Sequence, residues 1–105
     1  MITMAQIEEL CRRIAEEFEP LRILLFGSYA YGTASSESDV DLLVILPFKG
    51  KPLHKAVEIL TRVAPSFAVD LLVRRPEEAA RRYHEGDPLV RDAFDRGKVM
   101  YEQHS

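Results

Sequence analysis

Cysteine is almost absent from the 105-residue chain, with Cys11 as its single representative. One thiol cannot form an internal disulfide or a cysteine metal cluster, so nothing in the sequence indicates an oxidising compartment. No apolar run approaches the about 20 residues that a bilayer-spanning helix requires. The first residues lead directly into an amphipathic pattern that contains acidic side chains, unlike a signal peptide. These absences predict a soluble cytoplasmic protein with no membrane partner.

An excess of basic residues is also missing from the sequence. Fourteen Lys and Arg residues stand against 17 Asp and Glu residues, which leaves a formal net charge of −3. Proteins that coat nucleic acids normally carry a clear positive charge, so we expect no direct nucleic-acid contact. A content of 47% hydrophobic and 30% charged residues is typical of a globular protein. The length accommodates one domain, which we assign to residues 1–105.

Hydrophobic periodicity predicts alternating helices and strands along the chain. Apolar side chains recur at helical spacing from Ile7 to Phe18, with Thr3 as the N-cap and Pro20 closing the helix. The later pattern predicts strands at 21–26, 40–46 and 67–73, helices at 52–63, from 76 to before Gly86 and at 89–95, and an edge strand at 98–101. This order predicts an α/β (α+β) fold in which helices flank a small mixed β-sheet. We expect the second and third strands to be buried on both faces, with a connection long enough for parallel pairing.

Two aspartates stand at the start of the otherwise apolar second strand. Asp39 and Asp41 are two residues apart, so both carboxylates point to the same face. Two close negative charges raise each other's pKa and destabilise the fold unless a cation lies between them. Oxygen ligands without soft neighbours suit Mg²⁺ or Mn²⁺. The alternative is that Asp39 caps a turn and Asp41 is a solvated edge residue.

Gly27 and Ser28 directly follow the first predicted strand and precede a short helical segment. Glycine lets the backbone approach a ligand closely, and free N–H groups at a helix start attract anions. The Ser28 hydroxyl adds another hydrogen-bond donor. The pair is therefore a candidate phosphate-binding turn, and the alternative is a plain strand-to-helix turn in which Ser28 is the N-cap.

Asp70 is a lone acid inside the apolar third strand. A carboxylate in such a place needs a cation or a basic partner, because burying it alone is costly. The basic partner could be Arg74, Arg75 or a helix arginine. If the third strand lies beside the second, Asp70 completes a cluster with Asp39 and Asp41. Three carboxylates around one or two Mg²⁺ ions, next to a phosphate-binding turn, describe a phosphoryl-transfer site.

The spacing of these residues resembles a known signature. Gly27-Ser28, followed by ten residues and then Asp39-Val40-Asp41, is similar to the motif of the DNA polymerase beta-like nucleotidyltransferase superfamily. The small size, the context around Asp39 and the final Gly97–Glu102 segment resemble its minimal nucleotidyltransferase (MNT) branch, the antitoxins of HEPN/MNT toxin–antitoxin pairs. The resemblance covers nearly the whole chain and implies the nucleotidyltransferase palm fold.

The resemblance also implies a role for each motif residue. Gly27 and Ser28 would hold the β- and γ-phosphates of ATP. Asp39 and Asp41 would ligate two Mg²⁺ ions, or Mn²⁺. Asp70 would ligate the ion that binds the attacking hydroxyl and would help to deprotonate that hydroxyl.

The activity that the resemblance implies is Mg-dependent transfer of AMP from ATP to a tyrosine hydroxyl of a HEPN-domain toxin. Two alternatives stay open: a non-catalytic antitoxin that neutralises a HEPN partner by complex formation, and, less favoured, a small-molecule nucleotidyltransferase of the aminoglycoside type working as a homo-oligomer. One position departs from the pattern, because Tyr31 stands where such antitoxins often carry arginine. A packing role for Tyr31 is the alternative to a ligand contact.

Overall fold

The computed structural model of the protein describes residues 1–104 as one four-stranded mixed sheet flanked by helices. The elements are α1 (Met4–Phe18), β1 (Arg22–Phe26), α2 (Ser28–Tyr31), β2 (Val40–Ile45), α3 (Pro52–Val63), β3 (Val69–Arg74), α4 (Pro76–His84), α5 (Pro88–Arg96) and β4 (Lys98–Glu102). The predicted fold class is confirmed, and the predicted strands and helices begin and end within two residues of these bounds. No helix in this described part of the chain has the length and apolar character needed to cross a membrane.

Local chemistry explains where α1 begins and ends. The Thr3 hydroxyl accepts a hydrogen bond from the Gln6 amide at 3.2 Å, and the Gln6 side chain accepts one from the Thr3 amide at 2.9 Å. This reciprocal capping box satisfies two N–H groups that the helix itself leaves unpaired. Glu19 ends the helix in a left-handed conformation, immediately before Pro20. The predicted Thr3 cap is confirmed.

The strands lie in the order β3-β2-β1-β4. β1 pairs with β2 and with β4 in antiparallel fashion, while β2 and β3 run parallel. The α3 helix connects the parallel pair, as the long connection in the sequence permits. The last residues of β1 and the first residues of β2 and β3 therefore lie at one end of the sheet along the strand direction. The last residues of β2 and β3 lie at the opposite end.

Apolar side chains fill both faces of the sheet. The α1 and α3 helices cover Val40, Leu42 and Val44 of β2, whereas Leu43 and Ile45 pack on the opposite face with Ala79 of α4 and Ala93 of α5. Burial on both faces is thus confirmed for β2. The expectation for the third strand is wrong in part, because β3 is an edge strand and Val69 and Leu72 are only partly buried.

Candidate functional site

The three predicted site segments lie at the same end of the sheet, where β1 ends and β2 and β3 begin. The antiparallel register places Asp41 opposite Phe26, the residue before Gly27. The parallel register places Asp41 opposite Asp70. Asp41 is half-buried, whereas Asp39, two residues earlier in the chain, and Asp70, on the neighbouring strand, are exposed. The structure therefore brings together a glycine turn and two neighbouring carboxylates, with a third at the adjacent turn.

Gly27 occupies a backbone conformation that only glycine adopts readily. Its φ of 74° and ψ of −161° lie outside the regions open to residues with a Cβ. A Cβ atom at this position would stand 2.1 Å from Oδ2 of Asp41. The absence of a side chain at Gly27 is therefore what allows the turn and the carboxylate to lie in direct contact.

Ser28 begins α2 and is not its N-cap. Gly27 holds the cap position, and its carbonyl accepts hydrogen bonds from the Ala30 and Tyr31 amides at 3.0 and 3.2 Å. The Ser28 and Tyr29 amides precede these first helical bonds and have no partner within the helix. The plain-cap alternative for Ser28 is thus wrong, and its hydroxyl is not used to cap the turn.

Burial and like charge act together on Asp41. Desolvation is the larger cause, and the negative charges of Asp70 and Asp39 add to it, raising the pKa of Asp41 from 3.8 to about 6. A hydrogen bond that the protonated Asp41 shares with Asp70 acts in the same direction. A carboxylate with this pKa is destabilised when ionised, and a divalent cation would relieve the repulsion.

The donor set fits a hard divalent cation in chemistry, but its side chains are not gathered around a centre. Among residues 1–104, no three Asp, Glu, His or Cys side chains converge closely enough to hold a metal ion as placed. Binding therefore requires the carboxylates to reorient. Asp39 and Asp70 are exposed and have room to do so.

The alternatives given above for Asp41 and Asp70, an edge-strand position and a salt bridge, do not match the structure. Asp41 lies on β2, which has a neighbour on each side and is not an edge strand. Asp70 forms no ion pair within 4.0 Å with any basic side chain of the described chain, Arg74 and Arg75 included. Asp41 is therefore not an edge-strand residue, and Asp70, although exposed, has no basic partner that would explain it as one half of a salt bridge.

Replacing Asp41 by asparagine is expected to stabilise the metal-free protein at neutral pH. Because the pKa of Asp41 is higher in the folded chain than in the unfolded chain, the folded state binds the extra proton between about pH 4 and 6. The contribution of Asp41 to the free energy of unfolding therefore falls as the pH rises through this window. Above the window this contribution is constant. We expect Asp41→Asn to gain about 1 kcal/mol at pH 7.5, after allowing for solvent screening, and little at pH 4.

Thermal unfolding with EDTA at both pH values measures this effect. A gain of 1 kcal/mol shifts the midpoint by about 4–8 °C in a domain of this size. The matched control is Asp39→Asn, which removes the same charge from an exposed position and should gain less. Equal gains from both variants, or a gain that persists at pH 4, would contradict the assignment.

Two residues near the turn were not anticipated from the sequence. The Tyr31 hydroxyl donates a hydrogen bond to the Asp92 carboxylate, and the Arg96 guanidinium lies 4.2 Å from the centre of the Tyr31 ring. Arg96 also pairs with Asp92 at 3.5 Å. Tyr31 thus joins α2 to α5, which agrees with the packing alternative. Asp92 and Arg96 lie 61 and 65 residues away in sequence, and no local signal identifies them.

The chain is similar to known nucleotidyltransferases over most of its length. The profile of the nucleotidyltransferase domain family matches residues 6–99. A bifunctional uridylyltransferase/uridylyl-removing enzyme of Rhodospirillum rubrum is 49% identical over 79 residues, which cover 72% of this chain and 8% of that enzyme. A provisionally named protein adenylyltransferase of Methanocaldococcus jannaschii is 29% identical over 103 residues, covering 92% of this chain and 70% of that protein.

Solved structures share the fold. A provisionally named nucleotidyltransferase from Sulfolobus solfataricus superposes with a TM-score of 0.66 at 22% identity, covering 94% of this chain and 79% of that one. A toxin–antitoxin complex with AMP-PNP gives a TM-score of 0.59 at 19% identity, with coverages of 92% and 74%. A complex of an MNT antitoxin with the tri-AMPylated HEPN toxin of Shewanella oneidensis gives 0.50 at 20% identity, with coverages of 94% and 69%.

Proposed function

The chain belongs to the nucleotidyltransferase domain family, and from this premise we propose that it is a single-domain, Mg-dependent enzyme that transfers AMP from ATP to a hydroxyl group. The acceptor is a tyrosine of a HEPN-domain partner protein. The enzyme would therefore be an MNT-type antitoxin that adenylylates the protein it controls.

One observation carries this proposal: the contact between Gly27 and Asp41. A Cβ at Gly27 would fall 2.1 Å from the Asp41 carboxylate, so the turn and the acid form one surface. Backbone N–H groups attract phosphate oxygens, and carboxylates attract the cation that accompanies a triphosphate. Donors for an anion and ligands for a cation in direct contact are what a metal–nucleotide complex requires.

Each residue then has a defined task. The Ser28 hydroxyl and the free amides at the start of α2 donate to the β- and γ-phosphates. Asp39 and Asp41 would hold two Mg²⁺ ions, and Asp70 would share the ion nearest the acceptor. When bound, the ions neutralise negative charge on the phosphate oxygens and lower the pKa of the attacking hydroxyl.

The transfer balances with these groups alone. The acceptor oxygen forms a bond to the α-phosphorus, and the bond from that phosphorus to the bridging oxygen breaks. Pyrophosphate leaves, and Asp70 takes the proton of the hydroxyl. The exposure of Asp70 suits this role, because an acceptor on another molecule must reach it.

The choice of acceptor is supported by the relatives and structural neighbours. The match to the provisionally named protein adenylyltransferase of M. jannaschii covers 92% of this chain and 70% of that protein. One structural neighbour was solved with an AMPylated HEPN toxin and another with AMP-PNP. A cytoplasmic location fits ATP as the substrate and a buried, unpaired Cys11. The uridylyltransferase match spans only 8% of that enzyme, so it supports the domain rather than uridylyl transfer.

Labelled ATP tests the proposal directly. The protein is incubated with Mg²⁺, ATP labelled at the α-phosphate and its co-purified HEPN partner, and label on the partner is measured. We expect labelling by the wild type and a loss of at least about 10³-fold in the double variant Asp39→Asn, Asp41→Asn. Glu77→Gln, at an exposed acid in the first turn of α4, is the control and should label normally.

The same experiment separates the alternatives. In one outcome, the wild type and the double variant both form the complex and neutralise the toxin without labelling the partner. That result would reject the enzymatic function in favour of a non-catalytic antitoxin that acts by binding. Label on a small molecule such as an aminoglycoside, with none on protein, would favour the third function.

A further inference from the structure

Positive charge is concentrated where β2 and β3 end, at the end of the sheet opposite the carboxylates. Lys49 and Lys51 lie in the loop after β2, and Arg74 and Arg75 lie at the end of β3. We call these four residues the basic cluster. None of them lies within 4.0 Å of a carboxylate in the described chain, and residues 46–57 contain no acidic side chain. The cluster is an uncompensated positive surface on a protein of net charge −3.

The loop that carries the lysines is held in place. Arg75 donates hydrogen bonds to the carbonyl oxygens of Phe48, at 2.9 Å, and Gly50. Its guanidinium also lies 4.2 Å from the centre of the Phe48 ring. Lys49 and Lys51 therefore project from an ordered loop, which lowers the entropic cost of using them in recognition.

The basic cluster is too far from the nucleotide site to serve it. Asp70 and Arg74 are four residues apart on one extended strand, a separation of about 13 Å. Phosphates held between Gly27 and Asp41 would lie at the other end of the sheet, where β2 and β3 begin. These cations therefore lie out of reach of a nucleotide held between Gly27 and Asp41.

A groove runs along β3 from Leu71 to Arg74. It has a volume of about 310 Å³ and is lined by Leu53, Ala56, the β3 residues 71–74, and Arg82. Leu53 borders it with 73% of its surface exposed, and Val57, one turn further along α3, is 55% exposed. β3 has a hydrogen-bonded strand only on its β2 side, so its outer backbone groups face this groove.

Arg74 also has an unused donor here. Its Nη1 donates to the Val73 carbonyl, but its Nε is buried without an acceptor among the described residues. Buried donors are normally paired. A carboxylate in the groove would supply the missing acceptor once the Arg74 side chain turns towards it.

We infer that the groove beside β3 docks an extended acidic segment of the protein acceptor, which pairs with β3 as an added strand and anchors its acidic end on the basic cluster. Exposed edge strands accept such segments, with main-chain hydrogen bonds providing affinity and alternate side chains providing specificity. An apolar residue of the segment would rest on Leu53.

The direction of the groove explains why docking would serve the reaction. Its β3 lining begins at Leu71, directly after Asp70. A segment anchored at Arg74 therefore leads towards Asp70, about four residues away. A hydroxyl at that distance from the acidic anchor arrives where the proposed function requires it. The inference rests on the proposed function for this consequence, whereas the docking itself is measured by binding alone.

A synthetic peptide is the probe. It has about ten residues, alternates acidic with apolar side chains, and matches the extended repeat of a strand. Titration into the full chain, followed by amide NMR shifts, should move the signals of residues 71–74 and 53 most. Raising the salt concentration should weaken binding, because the anchor is electrostatic. Shifts centred on β4, the other edge strand, would overturn the inference.

Charge variants sharpen the test. We expect Lys49→Glu, Lys51→Glu to weaken peptide binding about tenfold, and Leu53→Glu to weaken it severalfold. Both changes are at surface positions, and circular dichroism checks the fold. Lys98→Glu is the matched control, since it reverses an exposed charge on β4 and should leave binding unchanged. Equal effects from Lys98→Glu would contradict the site.

Further outcomes keep docking and catalysis apart. With the protein acceptor, the Lys49→Glu, Lys51→Glu variant should raise KM about tenfold and leave kcat and Mg-ATP affinity unchanged. Unchanged KM with normal labelling would remove the docking surface and keep the proposed function. Peptide binding at β3 without any labelling of the protein acceptor would support the docking surface and reject the proposed function. Binding of a single-stranded RNA, but not the peptide, would make the cluster a nucleic-acid site and overturn the inference.

Discussion

Asp70→Asn is expected to lower the rate of AMP transfer by about 10³-fold while changing Mg-ATP affinity by less than about threefold. The reason lies in the position of the three acids. Asp41 contacts the glycine turn, so it belongs to the part of the site that holds the nucleotide. Asp70 lies on the neighbouring strand, on the far side of Asp41 from that turn. Removing its charge affects the acceptor side and the proton, not the triphosphate.

Single-turnover labelling measures the rate, and isothermal titration measures nucleotide affinity. The control Asp95→Asn makes the same change on α5, where asparagine still accepts the hydrogen bond from Tyr83, and both values should match the wild type. Asp70→Asn is also expected to fold normally, since Asp70 is exposed. A parallel loss of rate and of Mg-ATP affinity would show that Asp70 holds the nucleotide, contrary to the role proposed.

Gly27→Ala should damage both stability and nucleotide binding. The positive φ of 74° with ψ near 180° is costly for any residue with a Cβ, by about 1–3 kcal/mol. The new methyl group would also fall 2.1 Å from Oδ2 of Asp41, which forces the carboxylate or the turn to move. We expect a loss of about 3 kcal/mol, a melting midpoint lower by more than 10 °C, and no measurable Mg-ATP binding.

Gly32→Ala is the matched control. Gly32 has a similar φ of 78°, but a Cβ there would have no heavy atom within 4 Å. It should cost only about 1 kcal/mol and leave nucleotide binding intact. The difference between the two variants isolates the contact with Asp41. Equal losses of stability, with binding retained in both, would mean that the turn does not form the phosphate site.

The main features of the site follow from local sequence signals. A pair of acids at strand spacing must share a face, and a glycine-serine pair after an apolar strand predicts a turn with free amides. The length of the α3 connection permits the parallel pairing of β2 with β3, and the structure adopts it and brings Asp70 opposite Asp41. Periodicity is therefore sufficient to predict the elements and the shared face of the two acids, whereas connection length only restricts the possible strand pairings.

Features that depend on long-range contacts could not be predicted in this way. The sequence does not say that β3 is an edge strand, because its apolar run resembles that of the central β2. The link from Tyr31 to Asp92 and Arg96 joins distant segments through packing. The close approach of Gly27 to the Asp41 carboxylate depends on the exact register of β1 against β2. Such details are set by tertiary structure rather than by residue type.

The position of β1 has a consequence for how the chain folds during synthesis. β1 is an inner strand, yet one of its two neighbours is β4, formed by Lys98–Glu102. Until those residues leave the ribosome, one side of a strand with four buried apolar residues stays unpaired. Open strand edges invite association with other chains. A partner or chaperone that shields this edge would matter most in the interval before translation of β4 is complete.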